Sequence, residues 1–294
     1  MPRLDSPLGS AEAYVAYFSA QALPVLKHTA RALDAMREDG ERINAKRLAG
    51  VVLSDPLMTL KLLTHMETHR RHSQNHDITT IDRAIMMMGV EPFFHAFEAV
   101  DTVEEALATH PKALLGVLQV IGRARRAAHI ARDWAILRHD VDVEEITVAA
   151  LLREAVDVVC WIYAPRLTAE VYARQREDRS LRSTAAQAEV FGVDAHQIQL
   201  GLIHAWRLPK LLIDLLDDRE SANPRVRNVV IAANLARHSS RGWDNSALAD
   251  DFLQAAALLH TSPEILIHRI GMPVEDQAPL IAQTAVRPPP AHAF

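Results

Sequence analysis

The sequence predicts an all-α fold, on three observations. Apolar residues make up 49% of the chain and aromatic residues only 5%, a balance that suits Ala- and Leu-rich helices better than sheets. Gly is scarce, at 10 in 294 residues, which leaves few positions for tight hairpins. Alternation of apolar and polar residues never persists beyond about five residues, whereas helix start and stop signals recur from end to end.

Those signals place the elements in order. Helices are expected near 11–21, 25–38 and 45–53. Asp55 followed by Pro56 is an N-cap and first-turn pair that starts a helix over 56–70. Gly89 closes a helix over 80–88. A helix over 92–107 ends in a weakly apolar acidic stretch, and "THPKALLG" at 109–116 then marks an internal boundary with a Pro-started helix over 112–138. Helices over 144–163, 166–177 and 183–191 follow. Gly192 breaks the last of these, Asp194 caps a helix over 195–206, and Trp206, Leu208 and Pro209 form an apolar turn before 210–217. Asn223 before Pro224 starts 225–239, and helices over 246–259 and 263–270 complete the series. The ending "AVRPPPAHAF" has too many prolines and too little apolar surface to join a core. Residues 276–294 are therefore read as a Pro-rich tail, extended or docked on the surface from 286 onward.

Composition excludes several function classes. A net charge of −5 and a pI near 6.3 give no basic footprint for a phosphate backbone, so nucleic acid is not an expected partner. The basic stretch "GRARRAAHIARD" at 122–133 spaces Arg123, Arg126 and His129 along one helix face and reads as a solvated face. The single Cys160, in "DVVCWIYA", cannot form an internal disulfide and reads as a buried small hydrophobe. No apolar run approaches the roughly 20 residues that span a bilayer, and the N-terminus lacks a signal-peptide pattern. A cytoplasmic protein with no membrane partner is expected. Phosphate loops, nucleophile elbows and the common zinc motifs are missing from the sequence.

Two clusters invite chemistry. In "THMETHRRHSQNHD", His65 and His69 are four apart, His69 and His72 three, and His72 and His76 four, a spacing that can present two imidazoles to one metal. With no Cys or well-spaced carboxylate to complete a set, the cluster reads as a solvated helix end and loop. The run "IMMMG" at 85–89 reads as core filler, with Ile81, Ile85 and Met88 on one apolar face. The stretch "VAALLREAVDVV" at 148–159 poses a sharper question, because an apolar helical run is interrupted by Arg153 and Glu154.

Taken together, "ALPVL" at 22–26, "LAGVVLSDPLMTLKLL" at 48–63, "ITTIDRAIMMMG" at 78–89 and "GVDAHQIQLGLIHAWRLP" at 192–209 resemble, in order and spacing, the HDOD family of bacterial signalling proteins. Asp55, Pro56, Gly89, Gly192, Trp206 and Pro209 are the family-motif positions. Over roughly residues 20–275 the resemblance implies an N-terminal helical lobe packed on a degenerate lobe related to the HD phosphohydrolases. The boundaries expected are a first helical segment at 1–19, the N-terminal lobe at 20–110 and the HD-like lobe at 111–275. In HD hydrolases the helix corresponding to 149–157 carries a His-Asp pair that holds a water-activating metal. Here those positions are Arg153 and Glu154, and a guanidinium has no lone pair to offer a cation.

The family's later His falls on Ala195, with His196 next to it, and its following Gly falls on Gln199. A His-His pair found after the Leu-Pro turn falls near Arg219 and Glu220. The resemblance thus implies no catalytic, cofactor or metal residues, and a degenerate pocket of Arg153, Glu154, His196, Arg219 and Glu220, a ligand or salt-bridge site in which Arg153, Glu154, Arg219 and Glu220 either converge as a network in place of the metal or point to solvent. Three functions compete: a non-catalytic module binding a protein partner in two-component or cyclic-di-GMP-linked signalling, a sensor holding a small anionic ligand on its arginines, and a residual phosphohydrolase with relocated ligands such as His196 and His204.

Overall fold

The computed structural model describes residues 3–39, 44–69, 79–178, 181–218 and 222–286. Among them no strand forms, and two isolated bridges, Val25 with Thr102 and Ser240 with Gly242, are the extended contacts. In chain order the helices are α1 (Ala11–Ser19), α2 (Lys27–Asp39), α3 (Ala45–Leu53), α4 (Pro56–Thr68), α5 (Ile81–Met88), α6 (Val90–Ala96), α7 (Val103–Ala106), α8 (Pro111–Leu137) and α9 (Val143–Leu152). They continue with α10 (Ala155–Tyr163), α11 (Pro165–Glu177), α12 (Ser183–Phe191), α13 (Ala195–Ala205), α14 (Lys210–Leu216), α15 (Pro224–His238), α16 (Leu248–Leu259), α17 (Pro263–Arg269) and α18 (Val274–Val286). No helix among the described residues is long and apolar enough to cross a membrane.

Three expected boundaries differ. The helix expected over 92–107 is two, α6 and α7, because residue 102 lies beside Val25: the Val25 N–H donates to Asp101 O at 2.9 Å and the Val103 N–H to Val25 O at 2.8 Å. The helix expected over 144–163 breaks at Arg153 and Glu154 into α9 and α10. The segment read as tail from 276 begins inside α18, whose Leu280 and Thr284 are buried and which packs against α16 and α17.

The chain divides into two compact units, one of residues 1–121 and 154–213 and the other of 122–153 and 214–294. These units are drawn differently from the consecutive lobes expected with a boundary at 110/111. Helix α8 begins at Pro111, beside the expected boundary, but the stretch expected to form one HD-like lobe contributes to both units.

In the first unit, Asp55 is the keystone. It is fully buried and caps α4, with Oδ1 accepting from the Leu57 N–H at 2.9 Å and the Met58 N–H at 3.4 Å. Its Oδ2 accepts from the Leu26 N–H at 2.8 Å, so one carboxylate starts a helix and holds the Leu-Pro turn. Nearby, Lys61 Nζ donates to Leu23 O at 3.0 Å. Burial raises the Asp55 pKa above its ordinary 3.8, and the backbone donors offset part of the rise. A folded pKa above the unfolded one means that the contribution is complete below about pH 3.8 and is lost as pH rises through the folded value. The stability of wild type relative to Asp55→Asn is accordingly expected to increase from neutral pH to about pH 4; urea unfolding series that run parallel across this range would contradict the assignment.

Helices α1 and α13 pack closely within the same unit. Tyr14 OH donates to Phe191 O and accepts from the Leu8 N–H, both at 2.9 Å. A Cβ at Gly201 of α13 would collide with the Val15 side chain of α1, so this approach requires glycine. At the end of α12, Gly192 takes the left-handed conformation, φ 73°, where its N–H donates to Ala188 O. Cys160 is buried, and burial pushes its thiol pKa well up, which keeps it inert. The methionine run behaves differently from the core filler expected: Ile81 and Ile85 are buried, but Met86 is 67% and Met87 45% exposed, because α5 buries only the face that carries its isoleucines.

In the second unit, α15 packs against α9 and α16. Fully buried Asn228 donates Nδ2 to Ala131 O at 3.0 Å. Arg225 joins Glu145 at 2.8 Å and Asp142 at 3.4 Å, tying the starts of α15 and α9. The basic face expected to be solvated is not: Arg123 is buried and Arg126 lies over the Trp243 ring, 4.9 Å from its centroid, where burial lowers its pKa. Only His129 of the three stays well exposed, beside Asp133 at 3.7 Å.

Candidate functional site

The break between α9 and α10 is where sequence and structure meet most informatively. Six apolar residues of α9 and seven of α10 are buried, so the two helices are anchored on either side of a pair of charges. Arg153 ends α9 with its side chain only 12% exposed. Its guanidinium donates through Nη1 to Leu216 O at 3.3 Å and through Nη2 to Asp218 Oδ2 at 3.0 Å. The first bond satisfies a carbonyl at the end of α14, a group helices leave without an internal partner. The second is a charge-assisted bond to a carboxylate that is 43% exposed, so solvent and salt weaken it.

Arg153 therefore works as a strut between two segments of the second unit, and its guanidinium, a donor only, has no lone pair for a cation. Arg153→Ala is expected to lower stability by about 1 kcal/mol, with the part due to Asp218 shrinking at high salt. Denaturation at two ionic strengths checks this.

The other described residues of the expected pocket belong to the first unit by residue number. Glu154 belongs to the first unit and is buried, 4% exposed. His196 also belongs to the first unit, half-buried in the first turn of α13, where its N–H donates to the capping Asp194 Oδ1 at 2.9 Å. Arg219 and Glu220 lie outside the described residues. Among the described residues Arg153 forms an ion pair with Asp218, a partner the sequence did not single out. The run "DDRE" at 217–220 offers several charges within one turn, and which of them reaches Arg153 is a matter of where α14 ends.

The family-motif residues serve the backbone. Asp55 and Pro56 start α4, the Gly89 N–H closes α5 on Ile85 O at 2.8 Å, and Trp206 caps α13 through Leu202 O at 2.8 Å while lying 5% exposed. Leu208 and Pro209 are buried after it. At the far end of α4, His65 and His69 stack, with ring centroids 4.1 Å apart, and burial together with His69 lowers the His65 pKa. His72 and His76 lie outside the described residues.

Residues 23–221 match the model of the HDOD domain. The chain belongs to the HDOD family. Among solved structures, this HDOD chain is similar to a virulence factor from Campylobacter jejuni subsp. jejuni, at 20% identity with a TM-score of 0.62, covering 94% of this chain and 95% of that one. It is also similar to the MmoQ response regulator from Methylococcus capsulatus, at 20% identity and a TM-score of 0.56, covering 90% and 99%. At that identity these likenesses concern the fold. No curated protein matches the chain. The HDOD match spans both units, since it includes 122–153 and 214–221 along with most of the first.

Proposed function

We propose that this HDOD protein is a non-catalytic signal-transduction module, a cytoplasmic adaptor or output protein that conveys a two-component or cyclic-di-GMP-linked signal through contacts with a protein partner. The observation that carries the reading is Arg153. Where the resemblance to HD hydrolases calls for a metal-binding His, the chain has a permanently charged side chain, committed to Leu216 O and Asp218. That commitment also weighs against Arg153 as a receptor for a small anion, because a ligand would have to displace an existing ion pair.

The test is turnover. Untagged protein supplied with Mn²⁺ or Mg²⁺ is expected to release no phosphate from nucleoside phosphates or cyclic dinucleotides above a protein-free blank. A steady release that a chelator abolishes would overturn the proposal. A thermal shift with cyclic dinucleotides that disappears in Arg153→Ala would instead favour the sensor reading.

A further inference from the structure

We propose that residues 3–10 are a releasable strap, and that the cleft it closes in the first unit docks an arginine-bearing peptide segment of a protein partner. The inference rests on the reading of this chain as a partner-binding module and adds the chemistry of the segment bound. Arg3 Nε donates to Ile162 O at 3.3 Å, Nη2 donates to Ala106 O, and Nη1 lies 3.4 Å from His110 Nε2. The Leu4 N–H donates to Tyr163 O at 2.8 Å. Ile162 and Tyr163 are the last two residues of α10, and Ala106 is the last of α7. Carbonyls in a last turn lack a partner inside their own helix and lie at its negative end, so they suit a guanidinium.

Two observations make the strap releasable. None of residues 3–10 is buried, and Asp5, Ser6, Pro7 and Gly9 are exposed, so opening uncovers little apolar surface. No acceptor of Arg3 is a carboxylate, and among the described residues it forms no ion pair.

Charge decides the occupant. Beside Arg3 the cleft has a volume of about 230 Å³ and is lined by Pro24, Asp101, Glu105, Ile162 and Tyr163 among others. Asp101 and Glu105 are exposed, so an acidic or phosphorylated segment would meet like charge. Lys61 offsets part of the Asp101 charge, which leaves Glu105 as the carboxylate for a second cation beside the first. Arginine fits better than lysine because its planar fork reaches two carbonyls at once, as Arg3 does with Ile162 O and Ala106 O. The apolar wall of Pro24 and Ile162 suits the residues that flank it in an extended peptide.

Calorimetric titration of the full chain tests the cleft, with a synthetic peptide copying residues 2–9, PRLDSPLG, as the probe. Arg3→Ala protein is expected to bind one peptide per chain with a Kd below about 1 mM. Wild type, whose own Arg3 competes at high effective concentration, should bind at least about tenfold more weakly. The same peptide with alanine in place of its arginine should lose at least about tenfold in affinity for the Arg3→Ala protein. Lysine in place of the peptide's aspartate should gain about threefold, a gain that Glu105→Gln cancels. No binding to the Arg3→Ala protein, equal affinity for wild type, indifference to the peptide's arginine, or a lysine gain that survives Glu105→Gln would each overturn the proposal. The phosphate-release assay does not involve Arg3, so a failed cleft and a failed non-catalytic reading are told apart.

Discussion

Replacing Asp55 by alanine is expected to cost about 3 kcal/mol of stability. The substitution removes the cap of α4 and strands the buried Leu26 N–H, which Asp55 Oδ2 now accepts at 2.8 Å. A cap alone is worth about 1 kcal/mol, and a buried donor left without an acceptor costs about 1–3 kcal/mol. Relief from burying a carboxylate whose pKa is already raised returns part of this, which keeps the total below the simple sum. Asp55→Asn retains an oxygen for the Leu57 N–H and should fall between wild type and alanine. Urea unfolding of the three proteins measures the order, and a loss under about 1 kcal/mol for alanine would mean that the turn at 23–26 is held by other contacts.

Gly116→Ala is expected to destabilise the protein by about 2 kcal/mol, against the helix propensity of the two residues. In an exposed helix the change would stabilise by about 1 kcal/mol. Here a Cβ on α8 would lie 2.5 to 2.8 Å from the Cε2, Cδ2 and Cζ2 atoms of Trp161 on α10. The indole is rigid and 7% exposed, so relief requires that the helices move apart. In a Trp161→Leu background the same substitution should be neutral or stabilising, since the smaller side chain leaves room for a methyl group. A double-mutant cycle gives the coupling directly, and additive effects would exclude the collision as the cause.

These two residues show how unevenly the sequence can be read. Asp55 was legible because capping is local: an acidic side chain before Pro56 has one common use, and the structure has it so. Its second bond, to the Leu26 N–H 29 residues away, was not legible, because local signals carry no information about which turn lies beside which helix end. Gly116 carried no signal at all. It sits in an unbroken helix, and its identity matters only because Trp161 is packed against it.

The candidate site divides along the same line. That the Arg153 guanidinium has no lone pair to offer a metal follows from side-chain chemistry alone, and so was readable from residues 148–159. That Arg153 pairs with Asp218 and Leu216 O depends on where α14 ends.

By itself the sequence determined the helical class, most helix starts and stops, and the family, because caps, glycine stops and 3.6-residue periodicity are written in neighbouring residues. Only the tertiary structure decided the break between α9 and α10, the burial of Arg123 and exposure of Met86, and the division into units that interleave along the chain. Those features arise from contacts between residues far apart in sequence. Their energies depend on distances that only the folded chain defines.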